Sequence, residues 1–133
     1  MASPACRYLD SHCHLQERRL PQVRDAGLVR MLCNATCEAD WQTVVALAAS
    51  EPELIPFLGV HPWFAEALGK GWETRLYDLL KQIPAGIGET GLDRSCRTDF
   101  SRQQDIFKTQ LQMASEVKRP LVIHCVKAWG KLL

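Results

Sequence analysis

The sequence predicts an α/β fold built on a parallel sheet, because two kinds of segment alternate along the chain. Short apolar runs of strand length recur through the 133 residues, and longer segments of helical periodicity separate them. Strands separated by helical segments form βαβ units, in which neighbouring strands are parallel. No repeat of fixed period and no linker rich in Pro, Gly or Ser interrupts the pattern. We therefore expect a single domain over residues 1–133.

Each predicted element follows from a local pattern. The apolar runs predict strands over Tyr8–Leu15, Leu28–Asn34, Leu54–Val60, Ala85–Glu89 and Leu121–Cys125. Apolar residues spaced three and four apart predict helices over Glu38–Ser50, Trp72–Gln82 and Ser101–Lys118. Residues Lys127–Leu133 resemble the start of one more helix.

The helix predicted over Ser101–Lys118 has the clearest boundary signals. Ser101 is the expected N-cap, and cations followed by Pro120 predict the end of the helix. The side chains expected on its inner face are Ile106, Phe107, Leu111 and Met113.

Composition excludes several classes of protein. Hydrophobic residues make up 47% and charged residues 23%, as in an average globular protein, which excludes disordered, collagen-like and membrane-spanning chains. The net charge of +1 provides no overall field that would steer the molecule toward nucleic acid. The N-terminal segment lacks the apolar core of a signal peptide. We expect a cytoplasmic protein without a membrane partner, with the nucleus as an alternative location.

The cysteines are expected to be reduced in that compartment. They are Cys6, Cys13, Cys33, Cys37, Cys96 and Cys125. Without a signal peptide, small apolar strand residues are a better interpretation than a disulfide scaffold. Cys33 and Cys37 form a C-x3-C pair, but no second pair stands at zinc-finger spacing, so a structural zinc there is the weaker interpretation.

The strongest chemical signal lies at the end of the first predicted strand, in Asp10–His14. Residues two apart on a strand face the same side, so His12 and His14 project together while Cys13 faces the opposite layer. Sites in parallel α/β proteins are built at the carboxyl ends of the strands. The two imidazoles are therefore either ligands for Zn²⁺, Mn²⁺ or a similar ion, or loop histidines that only make hydrogen bonds.

Later strands end in further residues of the same kind. His61 follows the third strand, Glu89 ends the fourth, and His124 lies in the fifth. All four histidines of the chain thus fall on one predicted rim. A carboxylate at the position of Glu89 can bridge two ions about 3.5–4 Å apart, which is the usual core of a two-metal hydrolytic site.

A glycine-rich phosphate loop is the competing interpretation of the segment around Glu89. Gly86, Gly88 and Gly91 have the G-x-G-x-x-G spacing, but no helix follows directly and no Walker lysine is present. We expect these glycines to allow a tight turn and a close approach to the metal site.

Four motifs in order, D-S-H-C-H, G-V-H-P-W, G-I-G-E-T-G-L-D and V-I-H-C, resemble the signatures of the TatD family of metal-dependent deoxyribonucleases. That family belongs to the amidohydrolase-type (β/α)₈ barrels, so the resemblance implies a partial TIM barrel of about five strands. It also implies DNA as the substrate and two divalent ions, Mg²⁺, Mn²⁺ or Zn²⁺, which activate water for phosphodiester hydrolysis.

The resemblance assigns a role to each ligand-type residue. His12 and His14 would hold one ion, His124 would hold the other, and Glu89 would bridge both. His61 would line the site near the substrate phosphate. Glu89 and His61 are thus the catalytic candidates.

The chain is shorter than the family it resembles. A complete barrel needs roughly 200 or more residues. By the resemblance, two further ligands, a histidine after the sixth strand and an aspartate after the eighth, would lie beyond Leu133. We expect a truncated domain that is either active or an inactive half-barrel, and the latter would bind metal without turnover or self-associate through its open sheet edges.

Four residues near the motifs have two interpretations each. Asp10 either orients a ligand histidine or is a strand-end turn residue. Asp93 either assists at the rim or caps a helix, which is favoured. Arg94 either meets DNA phosphates or is solvated, which is favoured. Trp63 either stacks on a base or packs its loop against the rest of the rim, which is favoured.

Overall fold

Five parallel strands form one sheet in the computed structural model, which describes residues 7–16 and 27–132. They are β1 (Tyr8–Cys13), β2 (Leu28–Asn34), β3 (Leu54–Leu58), β4 (Gly86–Asp93) and β5 (Leu121–Val126). Their order in the sheet is their order in the chain, and every neighbouring pair is parallel. Successive strands of a (β/α)₈ barrel are arranged in this way. The predicted α/β class with a parallel sheet is confirmed.

The helices of the described residues lie between and after these strands. They are α1 (Trp41–Ser50), α2 (Trp72–Gln82), α3 (Phe100–Val117) and the short α4 (Trp129–Leu132). Two 3₁₀ segments, Glu38–Asp40 and Pro62–Ala67, precede α1 and α2. Leu133, the last residue of the final predicted helix, lies outside the described residues.

The core lies where one face of the sheet meets the helices. Strand residues such as Met31, Leu58 and Ile87 pack with Val44 of α1 and Leu76 of α2. Burial of each such side chain contributes roughly 1.5–3 kcal/mol. The core thus holds the strands and helices together, and the carboxyl ends of the strands are left for polar residues.

Strand β4 is longer than predicted, since it continues past Glu89 to Asp93. The added residues pair with Ile123–Val126 of β5. Gly91 has φ 145°, and a Cβ there would lie 1.9 Å from the carbonyl oxygen of His124. The glycine therefore allows β4 to approach β5 closely, and the predicted tight turn is wrong because this segment is strand.

Helix α3 differs from the prediction at its cap and on its inner face. Asp99 is the N-cap: its carboxylate accepts hydrogen bonds from the Arg102 amide at 2.8 Å and from the Ser101 hydroxyl at 2.6 Å. Leu111, expected inside, is exposed, while Gln103 and Gln110 are buried. The inner face carries these amides because they bond to the backbone of neighbouring strand ends.

The cysteines within the described residues are free thiols, and Cys33 is buried in the core. Cys6 lies outside the described residues. Neither Cys33 nor Cys37 belongs to a cluster of three metal-ligating side chains in residues 7–16 and 27–132.

Within the same ranges, no helix has both the length and the apolar character needed to cross a membrane.

Candidate metal centre

The strand ends bring the predicted ligand residues to one cleft. Its volume is about 440 Å³, and it is lined by His12, His14, Gln16, Thr36, His61, Trp63, Phe64, Glu89 and His124. The four histidines and Glu89, which the sequence placed on one rim, are therefore together in space. The other groups in the lining are an amide, a hydroxyl and two aromatic rings.

One group of ligand atoms joins β1 to β4. The Nε2 atoms of His12 and His14 are 3.0 Å apart, and each is 3.2 Å from Oε2 of Glu89. Ligand atoms that share one ion at about 2.1 Å lie about 3.0–3.4 Å from each other. Two imidazoles and a carboxylate at these separations fit a divalent cation of the Zn²⁺ or Mn²⁺ type.

His14 is fixed in the form that can bind a metal. Its Nδ1 lies 2.8 Å from the backbone carbonyl oxygen of Asn34, and a carbonyl only accepts, so Nδ1 carries the proton. The lone pair is then on Nε2, which faces Glu89. In the protonated ring Nε2 would also donate to the Glu89 carboxylate, and this stabilisation of the charged form raises the pKa of His14.

A second group of ligand atoms shares the other oxygen of Glu89. Oε1 lies 3.0 Å from Nδ1 of His124 and 3.7 Å from Nε2 of His61. Glu89 therefore offers one oxygen to each group, as the bridging role predicted for it requires.

Asp93 determines which nitrogen of His124 faces Glu89. Its Oδ2 lies 3.1 Å from Nε2 of His124, so that nitrogen donates and the Nδ1 lone pair points at the centre. The Asp93 carboxylate also accepts from the Trp63 indole and the Ser95 amide, both at 2.7 Å. Burial raises the pKa of Asp93, but these hydrogen bonds outweigh burial and lower it overall. The favoured capping interpretation of Asp93 is wrong, because Asp99 caps α3 and Asp93 acts at the rim.

His61 presents a hydrogen-bond donor at the rim, where its Nε2 lies 3.0 Å from Nδ1 of His124. Its Nδ1 accepts from the backbone amide of Trp63 at 3.2 Å, so in the neutral ring the proton is on Nε2. Burial lowers the pKa of His61 to about 4, which keeps the ring neutral at physiological pH. A protonated Nε2 does not ligate a metal, but it can donate to a phosphate oxygen, the role predicted for this residue.

Glu89 is ionised despite its burial. Burial raises the pKa of this carboxyl, but a hydrogen bond from the protonated form of His14 and the nearby imidazoles of His61 and His12 outweigh it and lower the pKa to about 2. The centre therefore holds a carboxylate over the whole physiological pH range.

The remaining predicted residues lie at the edge of the site. Trp63 is 59% exposed, and its ring centroid is 5.2 Å from that of His61, so it packs on the rim while its surface remains open to the cleft. The Arg94 guanidinium lies 4.1 Å from the centre of the Phe100 ring and does not line the cleft, which favours the solvated interpretation. Asp10 lies within β1, and its carboxylate accepts a local hydrogen bond from the backbone amide of His12 at 3.0 Å.

Two glutamines that support the site are absent from the prediction. Gln110 accepts from the Val60 amide at 2.8 Å and donates to the Thr90 hydroxyl at 2.6 Å, so it fixes the neighbours of His61 and Glu89. Gln103 accepts from the Asp93 amide at 2.8 Å. Glutamines seven residues apart share one helix face, and their position among apolar residues was the available signal.

Comparison of the sequence with known proteins identifies a family and several similar proteins. The family model described as TatD related DNase matches residues 9–133. The chain is 30% identical to the uncharacterized metal-dependent hydrolase YjjV of Escherichia coli over 96% of this chain and 54% of that protein. It is 30% identical to the 3'-5' ssDNA/RNA exonuclease TatD of Pantoea vagans over 87% of this chain and 46% of that protein. A 78-residue stretch is 42% identical to the human 3'-5' RNA nuclease TATDN2, covering 56% of this chain and 10% of that protein.

The fold comparison confirms the predicted partial TIM barrel. The crystal structure of YjjV, a TatD homolog, superposes with a TM-score of 0.81 and 29% identity, over 96% of this chain and 54% of the YjjV chain. The chain spans about half the length of the curated relatives it matches, and its five strands form a half-barrel. Since the family model covers residues 9–133, the chain belongs to the TatD-related DNase family.

Proposed function

We propose that this chain carries the metal centre of a hydrolase that cleaves phosphodiester bonds in DNA. One observation supports the proposal most strongly. The two carboxylate oxygens of Glu89 face different groups, one toward His12 and His14 and the other toward His124. A shared carboxylate between two nitrogen-rich groups is the arrangement of two-metal hydrolytic sites.

The donor set fits two divalent ions of the Zn²⁺, Mn²⁺ or Mg²⁺ class, with further ligands supplied by water or by other protein groups. His12, His14 and Glu89 would hold one ion, and Glu89 and His124 would hold the other. When bound, such ions supply Lewis acidity, which activates water and neutralises charge on the phosphate.

The residues around the ligands bind and orient the substrate in this proposal. His61 donates its Nε2 proton to a phosphate oxygen. Asp93 keeps the His124 ring in its ligating form through the 3.1 Å hydrogen bond. The exposed face of Trp63 suits stacking on an unpaired base, since every base has a π-face.

DNA is the proposed substrate, and RNA is the alternative to be tested beside it. The Pantoea relative is named for both single-stranded DNA and RNA, and the human relative for RNA. In this proposal the ligand groups act on the phosphate and Trp63 acts on a base, and both parts are common to DNA and RNA. We propose the cytoplasm as the location of this activity.

A second candidate function is self-association of the open sheet. Strands β1 and β5 are its edges, and Tyr8, Leu9 and Ile123 on them are 55%, 58% and 47% exposed. Apolar edge strands favour pairing with another chain. We propose that a chain limited to these 133 residues covers its edges with a second copy, with or without turnover.

Replacement of Glu89 by glutamine tests the metal centre. Glutamine keeps the size of the side chain but removes its charge and one acceptor oxygen. We expect Glu89→Gln to weaken Mn²⁺ binding by more than roughly 100-fold in calorimetry and to abolish cleavage of single-stranded DNA, with an unchanged circular dichroism spectrum. Glu116→Gln, at an exposed position on α3, is the matched control and should behave as the unmodified chain.

The outcomes separate the candidate functions. Full Mn²⁺ affinity in Glu89→Gln would contradict the bridging assignment. Metal binding without cleavage of DNA or RNA in Mg²⁺, Mn²⁺ or Zn²⁺ would contradict the hydrolase proposal for this chain and would support a metal-binding role without turnover.

A further inference from the structure

Two thiols lie opposite each other on neighbouring strands beside the metal centre. Cys13 at the end of β1 pairs in register with Cys33 of β2. Paired strands are about 4.8 Å apart, which falls in the range of about 4.4–6.8 Å between Cα atoms that a disulfide spans. Both side chains belong to the same hydrophobic cluster. The Cys13 thiol donates to the Leu32 carbonyl at 3.4 Å, and the Cys33 thiol donates to the Gln16 amide oxygen at 3.7 Å.

We propose that Cys13 and Cys33 form a reversible disulfide, and that this modification weakens ion binding at His12 and His14. The first half of the proposal stands on the strand register and the shared cluster. The second half rests on the proposed function, because it requires an ion at these histidines.

The coupling follows from the next pair of residues along the same two strands. Immediately after the thiols, His14 donates from Nδ1 to the Asn34 carbonyl at 2.8 Å, the bond that turns Nε2 toward Glu89. A disulfide brings its sulfur atoms to about 2.05 Å, so the Cys33 thiol must leave the Gln16 amide oxygen, which lies 3.7 Å away. The Gln16 amide also donates to the Asn34 carbonyl at 3.1 Å, the same oxygen that accepts from His14. We expect the adjacent His14–Asn34 bond to change with it, which displaces Nε2 from its place opposite Glu89.

A small-molecule disulfide such as oxidised glutathione is the oxidant in this proposal. The half-buried Cys13 exchanges first, forming a mixed disulfide and releasing one glutathione thiol. The buried Cys33 then attacks the sulfur of Cys13, which forms the Cys13–Cys33 bond and releases the second glutathione thiol. The protein dithiol loses two electrons and two protons, and the glutathione disulfide gains them.

Other described thiols have different surroundings. The Cys96 thiol contacts the Asp93 carbonyl and the Gln103 amide, and Cys125 pairs in register with Leu92. We therefore expect one specific product. Cys6 is replaced by serine in a parallel sample, so that it cannot exchange into the bond.

Peptide mapping after treatment with oxidised glutathione tests the disulfide. We expect a cross-linked peptide joining Cys13 to Cys33, with the loss of two hydrogen atoms and full reversal by dithiothreitol. Cys33→Ser and Cys13→Ser should each give no intramolecular cross-link, and the second removes the less buried thiol in case the first variant folds poorly. Cys37→Ser, the control at another half-buried thiol, should cross-link like the unmodified chain.

Calorimetry with Mn²⁺ tests the coupling, because this ion has little preference for thiols. We expect the oxidised chain to bind Mn²⁺ roughly tenfold more weakly than the reduced chain, and Cys13→Ser to bind equally well before and after the treatment. No cross-link, or one between other cysteines, would overturn the thiol pair. Equal Mn²⁺ affinities of the two forms would overturn the coupling. Absence of Mn²⁺ binding in the reduced chain would contradict the proposed function, while the peptide map would still decide the disulfide.

Discussion

At the scale of single residues, one hydrogen bond decides what each of three imidazoles on the rim, His14, His61 and His124, can do. Asn34 and Asp93 accept from His14 and His124 and leave their lone pairs to the centre. The Trp63 amide donates to His61 and leaves that ring a donor. His14 and His124 can therefore act as metal ligands, while His61 can donate a hydrogen bond to a phosphate oxygen.

Replacement of Asp93 by asparagine should reverse the form of His124. The side-chain oxygen of the new asparagine would still accept from the Ser95 amide, so its NH₂ group would face the Trp63 indole and Nε2 of His124, which both donate to Asp93. Because an NH₂ group cannot accept, we expect the His124 proton to move to Nδ1. Long-range ¹H–¹⁵N spectra report which ring nitrogen carries the proton. Trp63→Phe removes only one donor and is the matched control, which should keep the proton on Nε2. The same His124 form in all three proteins would contradict this role of Asp93.

The spacing of the sequence motifs was sufficient to predict which residues meet at the rim. His12, Glu89 and His124 lie in β1, β4 and β5, His14 directly follows β1, and these parallel strands run in one direction through the sheet. The hydrogen bonds that fix their ring forms were not predictable, because the partners are backbone groups or side chains on other segments. Asp93 illustrates the point: its role became visible only when β4 proved to extend that far.

At the scale of elements, α3 connects the site to the core. Gln110 bonds to Val60 and Thr90, which neighbour His61 and Glu89, and Gln103 bonds to Asp93. The predicted length of this helix was correct within one residue at each end. Its cap was wrong because Asp99 and Ser101 are both favourable capping residues, and sequence alone does not rank them.

The cap of α3 gives a prediction for stability against pH. Hydrogen bonds from the Ser101 hydroxyl and the Arg102 amide lower the pKa of Asp99 below its ordinary value. A carboxyl whose pKa is lower in the folded state stabilises the fold above its unfolded pKa, and that contribution disappears as the pH falls through the folded value.

We therefore expect Asp99→Ala to lower the thermal midpoint by a few degrees at pH 7, with the difference from the unmodified chain shrinking below about pH 4. Thermal unfolding followed by circular dichroism across this range measures both effects. Asp105→Ala, on the exposed side of the same helix, is the control and should leave the midpoint nearly unchanged. A difference that is independent of pH would show that the charge of Asp99 plays no part.

At the scale of the whole molecule, the sheet has two edges and one open face. We expect the 133-residue chain to be dimeric or larger in light scattering, with a mass that falls on dilution. Leu9→Lys and Ile123→Lys place charges on opposite edges and should give monomers with unchanged helix content. Trp63→Lys, which alters an exposed aromatic residue away from the strands, is the control and should associate as before. A monomer at all concentrations would contradict edge pairing.

The fold class was predictable because strand and helix periods alternate cleanly, and the barrel family followed from four motifs in order. Those motifs do not determine whether a half-barrel acts alone or needs other strands, because that depends on groups that close the sheet. The Escherichia coli and Pantoea relatives are about twice as long as this chain.

The contact between β1 and β4 has one more consequence. In a flat sheet these strands would be separated by three strand spacings, about 14 Å. Yet His12 of β1 reaches Glu89 of β4 at 3.2 Å, across the concave side of a strongly bent sheet. A cation bound here would connect β1 directly to β4, so its binding free energy would favour the bent sheet over a flatter one. The centre that we propose for catalysis would thus also stabilise the curvature of the sheet that carries it.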